Sequence, residues 1–147
     1  MPDLGREQKR ILLLGAGSAA TIVQEVQSRY PMPAIVSVLT TDERGLLLLE
    51  HLADADFIIV VDDFPFDPGS SVVQRFTTLQ LREKLGPTGD STTGCVAETL
   101  AYADTLQLLP PTVLILCNAS VGSTDLMDRA MACIIEELES VCKDLSD

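Results

Sequence analysis

Asp62 and Asp63 close a run of five apolar residues, Phe57-Ile58-Ile59-Val60-Val61. The run does not alternate, and four of its five members are β-branched. A strand buried on both faces, as in a parallel sheet covered by helices, reads this way. In open α/β sheets, ligands bind beyond the carboxyl ends of the strands. The two aspartates therefore stand where such a fold does its chemistry. Paired carboxylates hold a hard or borderline cation, or supply acid–base catalysis. The plainer alternative is that Asp63 opens a turn and Asp62 accepts backbone hydrogen bonds.

Other residues offer less. Gly15-Ala16-Gly17-Ser18-Ala19-Ala20 follows an apolar run and opens a helical pattern, with Asp42 further on. A dinucleotide-binding turn has this form, with Ala20 in the third glycine's place and Asp42 near a ribose hydroxyl. A tight strand-to-helix turn has it too, and is the favoured reading in a chain this short. His51 is the only histidine and follows Glu50 on a short helix, away from the strand ends. No Ser–His–Asp or Cys–His set can be assembled around it. Ser91-Thr92-Thr93-Gly94 lies at a loop-to-helix junction, where hydroxyls serve as caps. Cys95, Cys117, Cys133 and Cys142 show neither C-x-x-C nor zinc-ribbon spacing. They read as small thiols, buried or partly exposed, in a reducing compartment.

The elements that would position these residues follow in order. Residues 1–9 are a polar lead-in. Arg10–Gly15 is a first strand, and Ser18 is expected to cap a helix over Ala19–Tyr30 that turns Ile22, Val23 and Val26 inward. Pro31 and Pro33 stop it. Ile35–Leu39 is the second strand, and Leu46–Leu52 is a short helix with Asp42 near its start. After the central strand, Phe64-Pro65-Phe66-Asp67-Pro68-Gly69 is turn chemistry. Val72–Phe76 is a short strand whose connection cannot hold a crossover helix, so it is expected antiparallel and near an edge. Residues 77–92 read as an irregular loop. Gly94–Gln107 is a helix and Thr112–Cys117 a buried strand. A final helix starts at Ser123 and aligns Leu126, Ala130, Cys133, Ile134 and Leu138, with residues 143–147 frayed.

Alternating strands and helices imply an α/β fold. The expectation is a single three-layer α/β/α domain over residues 1–147, with a mostly parallel five-stranded sheet and one antiparallel edge strand. The 147 residues suffice to bury about two-thirds of the unfolded surface. With 46% apolar and 4% aromatic residues, the core is aliphatic. A formal net charge of -12 argues against nucleic acid or an anionic membrane surface as partner. Ile11–Leu14 and Leu46–Leu49 are too short to span a bilayer, and the first residues carry no apolar signal core. The expected location is cytoplasmic.

Several stretches recur together in a known order. They are Ile11-Leu12-Leu13-Leu14-Gly15-Ala16-Gly17, Ile22–Tyr30, Gly45–Leu49, Ala55–Asp62, Pro68–Val72, Ser91–Gly94, Ala97–Leu100 and Leu109–Val113. Through them the chain resembles the hydrogenase maturation proteases, endopeptidases that clip a C-terminal extension from the large subunit of nickel–iron hydrogenases. The resemblance covers nearly the whole chain, each motif being weak alone.

That resemblance implies a hydrogenase large subunit or its precursor as partner, and nickel carried by the substrate. The family senses this nickel with three side chains: an acidic residue in a loop after the glycine turn, the aspartate ending the central strand, and a histidine opening the helix after the long loop. Asp62 matches the second and is the only retained metal position. Ser18 stands in the family's asparagine position and runs directly into Ala19-Ala20, without the acidic loop. Thr93 stands at the histidine position, and Thr40-Thr41-Asp42-Glu43 replaces the family's Asp-Gly-Gly-Thr loop. One carboxylate is a poor site for nickel, which prefers several ligands including nitrogen. The first expectation is thus a divergent member acting as a non-catalytic assembly factor. The alternatives are an active endopeptidase using Asp62 with Asp63, Asp42 or Glu43, and a small nucleotide-binding module on Gly15–Ala20.

Overall fold

Apolar strands without alternation need cover on both faces, and the sheet built from them receives it. The computed structural model describes residues 10–41, 55–62, 73–77, 80, 100, 107, 110–117 and 124–145. Strand β1 (Ile11–Ala16) leads through a 3-10 turn (Gly17–Ala19) into helix α1 (Ala20–Arg29). Then come β2 (Val36–Thr41), β3 (Phe57–Asp62), β4 (Gln74–Thr77), β5 (Thr112–Leu116) and helix α2 (Thr124–Leu145).

The sheet has five strands in the order β2-β1-β3-β5-β4. β1 pairs in parallel with β2 and β3, and β3 in parallel with β5. β4 pairs antiparallel with β5 at the edge, as its short connection requires. The run that ends in Asp62 is thus the middle strand.

Strand alternation sends side chains to two separate cores. Ile11, Leu13, Ile59, Val61, Val113, Ile115 and Cys117 meet Ile22, Val23 and Val26 of α1 and Ala130, Met131, Ile134, Leu138 and Val141 of α2. On the other face, Leu12, Leu14, Ala16, Ile58, Val60, Leu114 and Leu116 pack with Leu100, which is itself helical. At the amino ends of the strands, a reciprocal pair clamps β1 to β3. Arg10 N–H donates to Asp56 Oδ2 (2.8 Å), and Asp56 N–H donates to Arg10 O (2.8 Å).

Several boundaries differ from the sequence expectation, each for a local reason. Ser18 is not the residue at the cap of α1: the chain enters through the 3-10 turn, and Ala19 stands at the N-cap with φ -70° and ψ -13°. β2 extends to Thr41 because its register with β1 continues through Gly15–Thr40 and Ala16–Thr41. β4 begins at Gln74 rather than Val72. Thr77, expected at the start of an irregular loop, instead ends β4 in a capping box. Its N–H donates to Gln80 Oε1 (2.8 Å), and Gln80 N–H donates back to Thr77 Oγ1 (3.3 Å). Gln80 is helical. Residues 143–145, expected to fray, stay helical as α2 runs to Leu145, anchored by buried Val141. Gln107, where the helix predicted over Gly94–Gln107 ends, takes the left-handed φ of 61° that closes helices.

Candidate functional site at the carboxyl end of the middle strand

Three chain segments meet where β3 ends. The first is Asp62 itself. The second is β5, whose register places Leu116 beside Asp62. The ladder gains one more rung there, as Cys117 N–H donates to the Asp62 carbonyl at 3.0 Å. The third is β1 and its turn. Gly15 pairs with Val61, so Ala16 is the residue that arrives beside Asp62. The Gly17–Ala19 turn then lies against β3. Gly17 takes φ 59°, a conformation that glycine adopts without the Cβ clash.

Asp62 is only 2% exposed, one of two polar residues buried in the described core. By alternation its side chain falls on the face of Ile58 and Val60, opposite α1 and α2. A buried carboxylate is tolerated only when its oxygens are bonded. No buried side-chain oxygen or nitrogen among the described residues lacks a hydrogen-bond partner. A carboxylate so placed is a hard oxygen ligand or a proton acceptor whose position the sheet dictates. Alone it does not make a nickel site. Among the described residues, no three His, Cys, Asp or Glu side chains come together as a metal-binding group. Asp63, Asp42, Glu43, His51, Thr93 and the Ser91–Gly94 junction lie outside the described residues. Ser18 falls within the 3-10 turn.

The Gly15–Ala20 turn has a packing explanation that involves no ligand. A Cβ on Gly15 would lie 2.8 Å from Val23 Cγ2 and 3.0 Å from Ala20 Cα. The glycine lets α1 sit directly on β1. That is the helix-to-strand contact for which glycine-rich turns are also used in nucleotide folds.

Cys133 and Cys142 are poor nucleophiles, and Cys95 lies outside the described residues. Burial pushes the Cys133 thiol up from its ordinary 9.0, with Glu137 and Glu136 adding to the rise and Arg75 opposing it. Arg75 of β4 pairs with Glu137 of α2 directly beside it. Burial alone raises Cys142. Both thiols stay protonated near neutral pH, which keeps them unreactive. The folded chain therefore holds these protons more tightly than the unfolded chain does. Stability from these groups is full below about pH 9 and is lost as pH rises through the folded values. The urea midpoint is expected to fall above about pH 9, and to fall less steeply in a Cys133→Ala/Cys142→Ala variant. Equal slopes for parent and variant would show that other groups govern the alkaline limb.

Comparison with known proteins places this geometry. No family model matches the chain. The hydrogenase expression/formation protein HupD of Bradyrhizobium diazoefficiens is 33% identical over 87 residues, 48% of this chain and 45% of that protein. HupD of Rhodobacter capsulatus is 34% identical over 77 residues, 46% of this chain and 37% of that protein. The matches thus span less than half the length of these curated relatives. In structure, the hydrogenase maturating endopeptidase HybD of E. coli superposes with a TM-score of 0.65 at 18% identity, covering 90% of this chain and 93% of that one.

The chain has the fold of a hydrogenase maturating endopeptidase and is similar to HupD over about half its length. An endopeptidase from Escherichia coli gives a TM-score of 0.63 at 20% identity, over 90% of this chain and 93% of that one. The hydrogenase 2 maturation peptidase of Thaumarchaeota archaeon SCGC_AB-539-E09 gives 0.55 at 18%, over 88% and 98%. The fold that this chain shares with these structures is α/β, with the sheet described above. In this chain, the middle strand of the sheet ends on a buried aspartate. Among its described residues, no helix is long and apolar enough to cross a membrane.

Proposed function

We infer that this protein takes part in maturing a hydrogenase large subunit, and that it binds the subunit or its precursor without cleaving it. The reading is supported by a maturation-endopeptidase fold together with the sequence resemblance, on which Asp62 is the one metal-sensing position retained. Thr93 replaces the histidine, and Gly17-Ser18-Ala19-Ala20 runs on without an acidic loop. Threonine offers nickel no imidazole nitrogen, and one carboxylate leaves most of the coordination sphere to the substrate. A fold outlasts the site grafted on it when binding is still selected and chemistry is not. The names of the relatives support the setting: hydrogenase expression/formation for one group and hydrogenase maturation for the other. Nickel enters this reading as cargo of the substrate, with Asp62 the one family position left to meet it.

The test is to incubate the purified protein with a nickel-loaded large-subunit precursor, then measure intact mass and elution. The expected result is an unchanged mass with the two proteins eluting together. Loss of a C-terminal peptide would overturn the non-catalytic role and establish an active endopeptidase. Asp62→Ala should then abolish the cleavage. An unchanged mass with separate elution would remove the large subunit as partner.

A further inference from the structure

The edge of a sheet presents main-chain donors and acceptors that a further strand can bond. β2 is one of the two edge strands. Ile11 N–H donates to Ile35 O at 2.9 Å, and Ile11 faces Val36 in the parallel register. The ladder to β1 therefore uses the main-chain groups of Ile35, Ser37, Leu39 and Thr41. Those of Val36, Val38 and Thr40 turn away from β1. The Val36 N–H bonds back to Pro33 O at 3.0 Å. Among the described residues, the Val36 carbonyl and the outward groups of Val38 and Thr40 meet no partner. Natural edges are blunted with lysine, proline or a bulge. Val36-Ser37-Val38-Leu39-Thr40-Thr41 contains neither residue, and its register is unbroken.

Helix α1 carries a second observation. It lies chiefly over β1 and β2, while α2 lies over β3 and β5. One flank of α1 therefore faces α2 and the other faces the β2 edge. Glu25 and Arg29 share a pocket with Met127 and Met131 of α2, which marks the first flank. The helical period puts Ala20, Gln27 and Tyr30 on the second. Tyr30 is 47% exposed, the one exposed large hydrophobic residue among those described. In a chain of net charge -12, the strand and this flank are both uncharged. Copies of an acidic chain repel each other least where neutral surface meets neutral surface. β2 also supplies the matching spacing of outward groups, so its natural complement is itself.

We propose that β2 pairs antiparallel with β2 of a second copy, about a two-fold axis through Val38 and perpendicular to the sheet. Such an axis keeps each sheet face continuous only if paired residues are an even number of positions apart. Val38 then stands opposite its own copy and exchanges two hydrogen bonds with it. The Thr40 N–H of each copy donates to the Val36 carbonyl of the other. The two α1 helices run side by side, roughly 10–14 Å apart, which is two to three strand spacings. Gln27 and Tyr30 of both copies fill that gap. The two sheets join into one, and the two Asp62 ends point in opposite directions. Pairing of this kind is independent of the maturation reading, and its test needs no large subunit.

The test is sedimentation equilibrium of the purified protein from about 1 µM to 1 mM, the range of weak homodimers. The expected result is a mass rising to twice the 15.8 kDa of one chain. Thr40→Pro removes an N–H that faces away from β1, a position where an edge strand tolerates proline. It should keep the circular dichroism of the parent and remain monomeric. If that variant does not fold, Gln27→Glu decides. It sets like charges across the axis and should weaken the dimer about fivefold or more. Gln24→Glu, also exposed but on the side of α1 that lines the pocket with α2, should leave the dimer unchanged. A monomer at every concentration would overturn the proposal. So would a dimer that folded Thr40→Pro leaves intact, or one that Gln24→Glu weakens as much as Gln27→Glu.

Discussion

Replacing Gly15 with valine is expected to cost about 3 kcal/mol of folding stability or more, a large share of what a domain of this size has. The reason is geometric. Gly15 sits in β1 beneath the first turn of α1, and its absent Cβ would lie 2.8 Å from Val23 Cγ2 and 3.0 Å from Ala20 Cα. Ala20 presents backbone, which cannot rotate away. Val23 is fully buried among the residues that α1 shares with the sheet. Any added carbon must therefore lift α1 or force Val23 into occupied space. Chemical denaturation should show a lower midpoint at an unchanged slope. Gly15→Ala should cost less, about 1–3 kcal/mol, and Val23→Ala should partly rescue it as a coupled pair. A Gly15→Val variant within about 1 kcal/mol of the parent would show that the helix is not seated on this glycine.

Ile59→Ala is expected to cost about 4 kcal/mol, whereas Val38→Ala should cost under about 1.5 kcal/mol. Ile59 lies on β3, flanked by β1 and β5 and covered by α1 and α2, and it has no exposed surface. The cavity left by truncation there has no route to collapse. Val38 is on β2 at the sheet edge, half-buried, with solvent to fill part of the loss. Similar costs for the two would contradict the placement of β3 at the middle of the sheet.

The middle strand was legible because being buried on both faces suppresses alternation, and Phe57–Val61 shows no alternation. The antiparallel edge was legible from the short connection before β4. Strand ends were less so, because pairing rather than composition decides them. Thr40 and Thr41 look like loop residues, and they remain in β2 because Gly15 and Ala16 lie in register beside them. The capping box at Thr77 and Gln80 was written in the sequence as Thr-x-x-Gln, the known signature of a helix start. It was hidden by the glycine- and proline-rich stretch that follows. Ser18 is a better capping residue than Ala19 by type, yet the turn geometry places Ala19 at the cap. For the site, a carboxylate ending an apolar strand was enough to single out Asp62. Its burial could not be read that way, since it depends on β5, whose residues lie 50 positions further along.

The strand order has a consequence for how the chain is made. β1, α1 and β2 are contiguous and can pair as soon as they exist. β3 is complete at Asp62, but its second neighbour, β5, begins only at Thr112. At about 5–20 residues per second, ribosomal synthesis leaves that flank of β3 unpaired for roughly 3–10 s. During this interval Ile58, Ile59, Val60 and Val61 present an open, uncharged β-edge of the kind that recruits other chains. Asp62 and Asp63 then act at the end of this stretch as charged gatekeepers against aggregation. The nascent protein is most vulnerable in the window between its two halves.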